Sequence, residues 1–181
     1  MLIGLCGAAG SGKDSAAEIL ATRHGFAKFA FADPLYEAVS AITGLTIDEL
    51  KDRSRKENTL GWISYSPRRL LQSLGTEWGR DMIHPEIWIM ATLRRIEGAA
   101  DAVVTDVRFN NEAEAILARG GEVWRITGRA AEIGDASRHA SEAGVAGKYV
   151  SAEIVNSGSM GDLAAAVDAA YDRLLSATMR G

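Results

Sequence analysis

Apolar and polar positions along this chain repeat with two periods, and the switches between them mark its elements. Leu2-Ile3-Gly4-Leu5-Cys6 is an unbroken apolar run of strand length, the pattern of a strand covered on both faces. Ser15 to Ala21 reads as a helix, and His24-Gly25 ends it. Phe26 to Phe31 carries alternating aromatics and predicts a second strand. Asp33 as N-cap and Pro34 as first residue then open a helix with Leu35, Val39 and Ile42 on its apolar face, stopped by Gly44. Thr46 and Glu49 have capping-box spacing and start a further short helix. Residues 51–65 are polar and mixed, and read as a loop-like connection.

Ser66-Pro67-Arg68-Arg69 opens the next helix, with Leu70, Leu71 and Leu74 inward. Gly75 and Gly79 predict a kink or break in it. His84-Pro85-Glu86 opens another, carrying Ile87, Trp88, Ala91, Leu93 and Ile96. Ala102 to Val107 has a central-strand pattern that runs into an acid, Asp106. Asn110 or Asn111 caps a helix through Ala113, Ile116 and Leu117, ended at Gly120-Gly121. Val123 to Thr127 and Val150 to Val155 read as the last two strands. Residues 128–148 show no strong period. Gly161 to Leu175 is an amphipathic helix with Leu163, Val167, Ala170 and Leu174 on one face. Strands that alternate with helices predict an α/β fold with a parallel sheet covered on both faces, and ligands then gather at the carboxyl ends of the strands. Gly7–Ser15 and Asp106–Arg108 both fall at such ends.

Composition narrows the function classes. With 181 residues the chain is expected to form one domain, and its 47% hydrophobic content is enough for a full core. A net charge of −4 argues against a general binder of nucleic-acid polymers. Any anion site must therefore concentrate its basic residues locally. The single cysteine, Cys6, sits in the first strand and rules out a disulfide within the chain. That fits a reducing compartment, and a cytoplasmic location is expected. The sequence shows neither a signal-peptide pattern nor a run of membrane-spanning length, so no membrane partner is expected.

The sharpest motif is Gly7-Ala8-Ala9-Gly10-Ser11-Gly12-Lys13-Asp14-Ser15, which has the spacing G-x-x-x-x-G-K between a strand and a helix. This is the context of a phosphate-binding P-loop. Glycines let backbone N–H groups turn toward an anion, and the helix start adds partial positive charge. Gly7, Ala9, Gly10, Ser11, Gly12, Lys13, Asp14 and Ser15 are the expected ATP-binding residues, with Lys13 on the outer phosphates. Asp14 stands where a Ser or Thr ordinarily holds magnesium, and Ser15 follows it. Either is a candidate Mg²⁺ ligand.

Three further constellations carry chemistry. Asp106, at a strand tip, can orient a magnesium-bound water or hold a substrate group, and Arg108 can clamp a phosphate with paired hydrogen bonds. In the helix from Ser66, Arg68 and Gln72 are four apart and share a face. Arg68 can meet an acceptor phosphate and Gln72 a base edge, while Arg69, Ser73 and Arg80 come from nearby faces. Trp78 suits base stacking and core packing equally well. The 128–148 region, with Arg129, Arg138 and His139, suits either an Arg-bearing lid that excludes water from phosphoryl transfer or a disordered surface loop.

These stretches resemble the bacteriophage-type deoxynucleoside monophosphate kinases of the P-loop kinase superfamily. The resemblance rests on the Gly-Ser-Gly-Lys-Asp-Ser loop, Phe31-Ala32-Asp33-Pro34-Leu35, and Pro67-Arg68-Arg69-Leu70-Leu71-Gln72 with Leu74-Gly75-Thr76-Glu77. It rests also on Asp106-Val107-Arg108-Phe109-Asn110-Asn111-Glu112-Ala113 and His139-Ala140-Ser141-Glu142. It implies a three-layer P-loop kinase fold with a five-stranded parallel sheet, as a single domain over residues 1–181. A helical acceptor-binding insertion would span about 33–98 and a lid about 128–148. The implied reaction moves the γ-phosphoryl group of ATP, with Mg²⁺, to a deoxynucleoside monophosphate. By position, Lys13, Arg108, Arg129 and Arg138 would be catalytic. Asp33, Arg68, Arg69, Gln72, Trp78, Asp106, Arg108 and Glu112 would bind the acceptor, and Asp14, Ser15 and Asp106 would serve the metal.

Two other readings keep the P-loop. One is a kinase for another small acceptor, of the dephospho-coenzyme A or phosphomevalonate type. The other is a nucleotide-binding interaction module without transfer. The apolar tail helix can cover the sheet or pair two copies, so a homodimer stays open. For a phage-encoded chain, the host cytoplasm is the expected location.

Overall fold

The computed structural model describes residues 1–52, 54–128 and 144–179. They cluster into two compact units, Met1–Ala30 with Gly98–Gly181, and Phe31–Glu97.

The first unit is built on a five-stranded sheet of order β2-β3-β1-β4-β5. The strands are β1 (Leu2–Cys6), β2 (Ala27–Phe29), β3 (Ala102–Val104), β4 (Glu122–Gly128) and β5 (Ala152–Asn156). Every pairing is parallel. The apolar run of β1 places it at the centre, where both neighbours bury it; Ile3 and Leu5 are fully buried. One face packs Ile3, Leu5, Trp124, Ile126 and Ile154 against Ala16, Ala17 and Leu20 of α1 (Lys13–His24) and Leu163, Ala164, Val167 and Ala170 of α7 (Met160–Thr178). The other face receives α6 (Asn110–Leu117). There, a Cβ on Gly4 would collide with Ile116 Cδ1 and Val107 Cγ2. A glycine in the central strand is what lets α6 approach the sheet. Three layers result, as the alternating pattern predicts.

Several boundaries move. The second strand covers Ala27–Phe29 only, not Phe26–Phe31. As an edge strand it needs pairing on one side alone, and its ladder ends with β3 at Val104. The last strand starts at Ala152 rather than Val150 because Gly147–Tyr149 forms a 3₁₀ turn first. Phe109, not an asparagine, holds the N-cap position of α6; Asn111 Oδ1 accepts the Glu112 N–H at 3.0 Å from within the first turn, and the Glu112 carboxylate reaches back to the N–H groups of Arg108 and Phe109.

The second unit holds α2 (Asp33–Thr43), α3 (Ile47–Lys51), α4 (Pro67–Gln72) and α5 (Ile87–Ile96). Its core joins Val39, Leu50 and Leu71 to Leu35, Tyr36, Leu45, Leu70 and Leu74. The capping box of Thr46 and Glu49 forms as the spacing predicts, and Ser66 Oγ accepts the Arg69 N–H at 3.3 Å. Asp33 is not the N-cap of α2. Ala32 holds that position, and Asp33 lies in the first turn, where its charge meets the positive end of the helix dipole.

The larger correction concerns Gly75 and Gly79. They do not break the helix; α4 runs on as a π-helical segment from Ser73 to Ile83. The wider coil carries both glycines into tight packing. A Cβ on Gly79 would lie 2.7 Å from the Trp88 ring, and one on Gly75 3.1 Å from Leu35 Cδ2. Trp88 Nε1 donates to the Gly75 carbonyl at 2.8 Å, taking up an acceptor of the stretched turn. These glycines thus serve close packing within a single helix.

Candidate active site

The loop from Gly7 to Gly12 joins the end of β1 to the start of α1. Gly7, Gly10 and Gly12 have φ of 140°, 75° and 102°, conformations that L side chains rarely adopt. Space excludes side chains as well: a Cβ on Gly7 would strike the Ile126 carbonyl, and one on Gly12 the Asn156 amide. Gly12 offers no side-chain cap, so the first N–H groups of α1 are left to an anion. Ser11 is buried, and its Oγ is the one buried side-chain polar atom without a hydrogen-bond partner among the described residues.

Lys13 Nζ donates to the carbonyls of Gly7 at 2.8 Å and Ala8 at 2.7 Å. Burial holds its ammonium below the usual lysine range. The charge of Asp14 opposes that shift and the charge of Arg108 adds to it. Burial likewise pushes the Cys6 thiol up against the opposing charge of Arg125, so Cys6 is a core residue beneath the loop. Asp14 is exposed in the first turn of α1 and Ser15 is half-buried.

Past β3 the chain stays beside the sheet. Thr105 N–H donates to the Phe29 carbonyl at 2.9 Å, and Val107 N–H to the Leu5 carbonyl at 3.1 Å. Asp106 and Arg108 therefore lie close enough to Lys13 for their charges to bear on its ammonium. Glu112 is 3% exposed, and its Oε2 accepts the N–H of Arg108 at 2.7 Å and of Phe109 at 3.0 Å. The P-loop, Asp106, Arg108 and Glu112 thus share the carboxyl ends of β1 and β3.

The other acceptor candidates lie in the second unit. Arg68 pairs through Nε with Glu57. The Arg69 guanidinium lies 5.0 Å from the Tyr65 ring centroid. Gln72 is exposed, and the charge of Asp33 acts on Arg95. Trp78 is 44% exposed. It lines an apolar pocket of about 340 Å³ with Val39, Ile42, Leu70, Leu74 and Met82, and Ser73 and Glu77 are the polar residues there. Arg68, Arg69 and Gln72 do not line it. Residues 54–64 make turns and bends, with an isolated bridge between Leu60 and Tyr65. Arg129, Arg138, His139 and nearly all of the expected lid lie outside the described residues.

Asn156, at the end of β5, escaped sequence reading. Its Nδ2 donates to the Ser11 carbonyl at 2.9 Å and braces the P-loop from the far strand. Asn110 reads as a helix cap, but its contact with Ala146 escaped likewise: its Oδ1 accepts the Ala146 N–H at 2.9 Å and ties that residue to α6. Neither contact leaves a spacing signal, because the partners are far apart in the chain. Among the described residues no three acidic, His or Cys side chains gather as a metal cage. No described helix is long and apolar enough to cross a membrane.

A family model described as "Deoxynucleotide monophosphate kinase" matches residues 41–167. A deoxynucleoside-5'-monophosphate kinase of Escherichia phage T5 is 28% identical over an alignment covering 86% of this chain and 89% of the phage protein. A protein of Acanthamoeba polyphaga mimivirus, provisionally named a deoxynucleotide monophosphate kinase, is 33% identical over 70% of this chain and 73% of its own length. Among solved structures, a Thermus thermophilus protein aligns with a TM-score of 0.54 at 23% identity, covering 96% of this chain and 97% of its own. A dephospho-CoA kinase from Campylobacter jejuni aligns at 0.51 and 16% identity, covering 98% of each chain. These two likenesses concern the fold.

Proposed function

Because the chain belongs to the deoxynucleotide monophosphate kinase family, we infer that it is an ATP-dependent phosphotransferase acting on deoxynucleoside monophosphates. An oxygen of the acceptor's 5'-phosphate attacks the γ-phosphorus of ATP. The bond from that phosphorus to the β–γ bridging oxygen breaks, and ADP and a deoxynucleoside diphosphate leave. The observation that carries the reading is the cradle itself: a glycine loop whose backbone excludes side chains, an uncapped helix start and a lysine at its centre. Phosphoryl transfer asks for little besides positioning and positive charge around the moving group.

In this reading Gly7, Ala9, Gly10, Ser11, Gly12, Asp14 and Ser15 surround the donor nucleotide. Lys13 exchanges its loop carbonyls for β- and γ-phosphate oxygens. The unpartnered Ser11 hydroxyl supports a polar ligand there. Arg108 steadies the transferring group from the loop that Glu112 holds, and Asp106 faces the acceptor or the metal. Asp33, Arg68, Arg69, Gln72 and Trp78 bind the acceptor, and Arg129 and Arg138 close over it. Mg²⁺ fits a site that supplies few protein ligands, since this ion usually keeps waters and binds through one or two side chains and substrate phosphates. Asp14, Ser15 and Asp106 would hold it, and it would neutralise phosphate charge. The helical region over about 33–98 and the lid over about 128–148 act within one kinase domain, in the cytoplasm, with small nucleotides as partners. Pairing into a homodimer is compatible with this reading.

The test is ADP release from MgATP with each of the four deoxynucleoside monophosphates, the matching ribonucleotides and no acceptor. Release that depends on deoxynucleotides supports the reading and gives its base range. Acceptor-independent release turns it into an ATPase or a binding module.

A further inference from the structure

The segment after α3 is rich in charge, yet its charges are unevenly paired. Glu49 is engaged by Arg55 at 2.7 Å and by the Thr46 cap. Asp52 accepts from Ser54 and lies 3.9 Å from Arg55. Glu57 takes the Nε of Arg68. The carboxylates of Glu49, Asp52 and Glu57 are thus occupied, and among the described residues Lys51 and Lys56 have no carboxylate partner.

These two lysines are not scattered. Their ammonium groups lie 5.4 Å and 5.5 Å from the ring centroid of Tyr36, on the first turns of α2. Lys56 Nζ donates to the Tyr36 hydroxyl at 3.0 Å. The backbone carbonyl of Lys56 accepts the N–H of Arg68 at 3.0 Å. A lysine anchored in the backbone and held at its ammonium by Tyr36 loses rotamer freedom before any ligand arrives, while keeping donors for one.

The remaining donors match one chemical group. With the Tyr36 hydroxyl accepting from Lys56, its own proton is left to donate. Lys56 keeps two N–H bonds. Arg68, held at Nε by Glu57, keeps the Nη groups suited to phosphate oxygens. One hydroxyl, one ammonium and one guanidinium suit a phosphate monoester dianion.

We propose that Lys56, oriented by Tyr36 and tied through its backbone carbonyl to the Arg68 N–H, binds the 5'-phosphate of the acceptor nucleotide. This inference rests on the kinase reading and assigns it a phosphate ligand. The Lys56-Glu57 dipeptide holds the site together: Lys56 supplies a charge, and Glu57 aims the neighbouring arginine. Lys51 adds to the local positive potential.

The experiment compares wild type with Lys56→Met, Lys56→Arg and Tyr36→Phe, using steady-state ADP release and calorimetric titration of deoxynucleoside monophosphate without ATP. Loss of one charged hydrogen-bonding partner predicts a rise in acceptor KM of about ten- to a hundred-fold for Lys56→Met. The KM for ATP should stay within about twofold of wild type if the two nucleotides bind separately. Lys56→Arg should restore most of the loss, and Tyr36→Phe should cost a few-fold. In the titration, wild type should bind the monophosphate more tightly than the corresponding deoxynucleoside, and Lys56→Met should erase that preference. Wild-type acceptor KM in Lys56→Met, or an equal rise in both KM values, overturns the assignment. A wild-type protein that binds monophosphate and nucleoside alike also overturns it. Monophosphate-specific binding without acceptor-dependent ADP release overturns the transfer reading and leaves the phosphate site standing.

Discussion

Replacing Glu112 by alanine deletes an acceptor on which two backbone donors converge. The carboxylate is 3% exposed, and it takes N–H groups of Arg108 and Phe109 at 2.7 and 3.0 Å. A stranded buried donor costs about 1–3 kcal/mol. Arg108 is exposed and Phe109 half-buried, so water can reach both N–H groups after truncation, and each donor falls at the low end of that range. Two donors then give about 2 kcal/mol, and the lost packing raises the expected destabilisation to about 2–3 kcal/mol. Glutamine keeps a carbonyl oxygen at the same reach but no charge, and should cost about 1 kcal/mol. Urea unfolding measures both, with an unchanged m-value showing that the transition itself is the same. Because Glu112 shapes the loop that presents Arg108, acceptor KM should rise in proportion to the stability loss, more for alanine than for glutamine. Both variants at wild-type stability, with a large rise in acceptor KM, would refute the reasoning. That result would mean the carboxylate contacts the nucleotide and the two N–H groups find other partners freely.

Lys13→Ala should lower turnover by orders of magnitude while circular dichroism and the melting curve stay near wild type, because its ammonium serves charge that develops on the moving phosphoryl group. Gly79→Ala should destabilise the protein by about 1–3 kcal/mol, since the added methyl meets the Trp88 ring at 2.7 Å; unchanged thermal stability would contradict the π-helical packing. The hydrogen bond from His24, then the hydrogen bond and charge of Arg23, hold the Asp168 carboxyl below the usual aspartate range. A depressed carboxyl contributes stability that is present above its unfolded value and is lost as pH falls through the folded one. Acid melting below about pH 4 should therefore be steeper in wild type than in Asp168→Asn; parallel curves would remove the contribution.

The sheet was legible because burial on both faces leaves short apolar runs, too short for a buried helix and ended by glycine or a polar residue, as in Leu2–Cys6 and Ala102–Val104. The P-loop was legible because its glycines answer to local backbone geometry. The π-helical segment was hidden: Gly75 and Gly79 read locally as breakers, and their reason lies in Leu35 and Trp88, which touch them from other helices. Asn156 was hidden for the same kind of reason, since the carbonyl it braces belongs to Ser11. Glu112 stood out as part of a motif. Its spacing to the N–H groups of Arg108 and Phe109 is that of a side chain reaching back over a helix start, and the same carboxylate chemistry also suits a ligand contact.

The order of strands in the sheet also sets an order of events in time. β1 is the first element of the sheet in the chain, yet its two neighbours begin at Ala102 and Glu122. Parallel pairing over such separations pays its loop-closure entropy before any contact rewards it, and is intrinsically slow. During synthesis the glycine loop at the end of β1 leaves the ribosome well before β3 and β4 do. It gains a scaffold only once β3 and β4 follow. The core of Val39, Leu50 and Leu71 needs no residue beyond the middle of the chain, and so can assemble while β1 still waits. Nucleotide binding is then a late milestone of maturation, and a nascent chain stalled before Glu122 would carry an intact P-loop sequence without a P-loop.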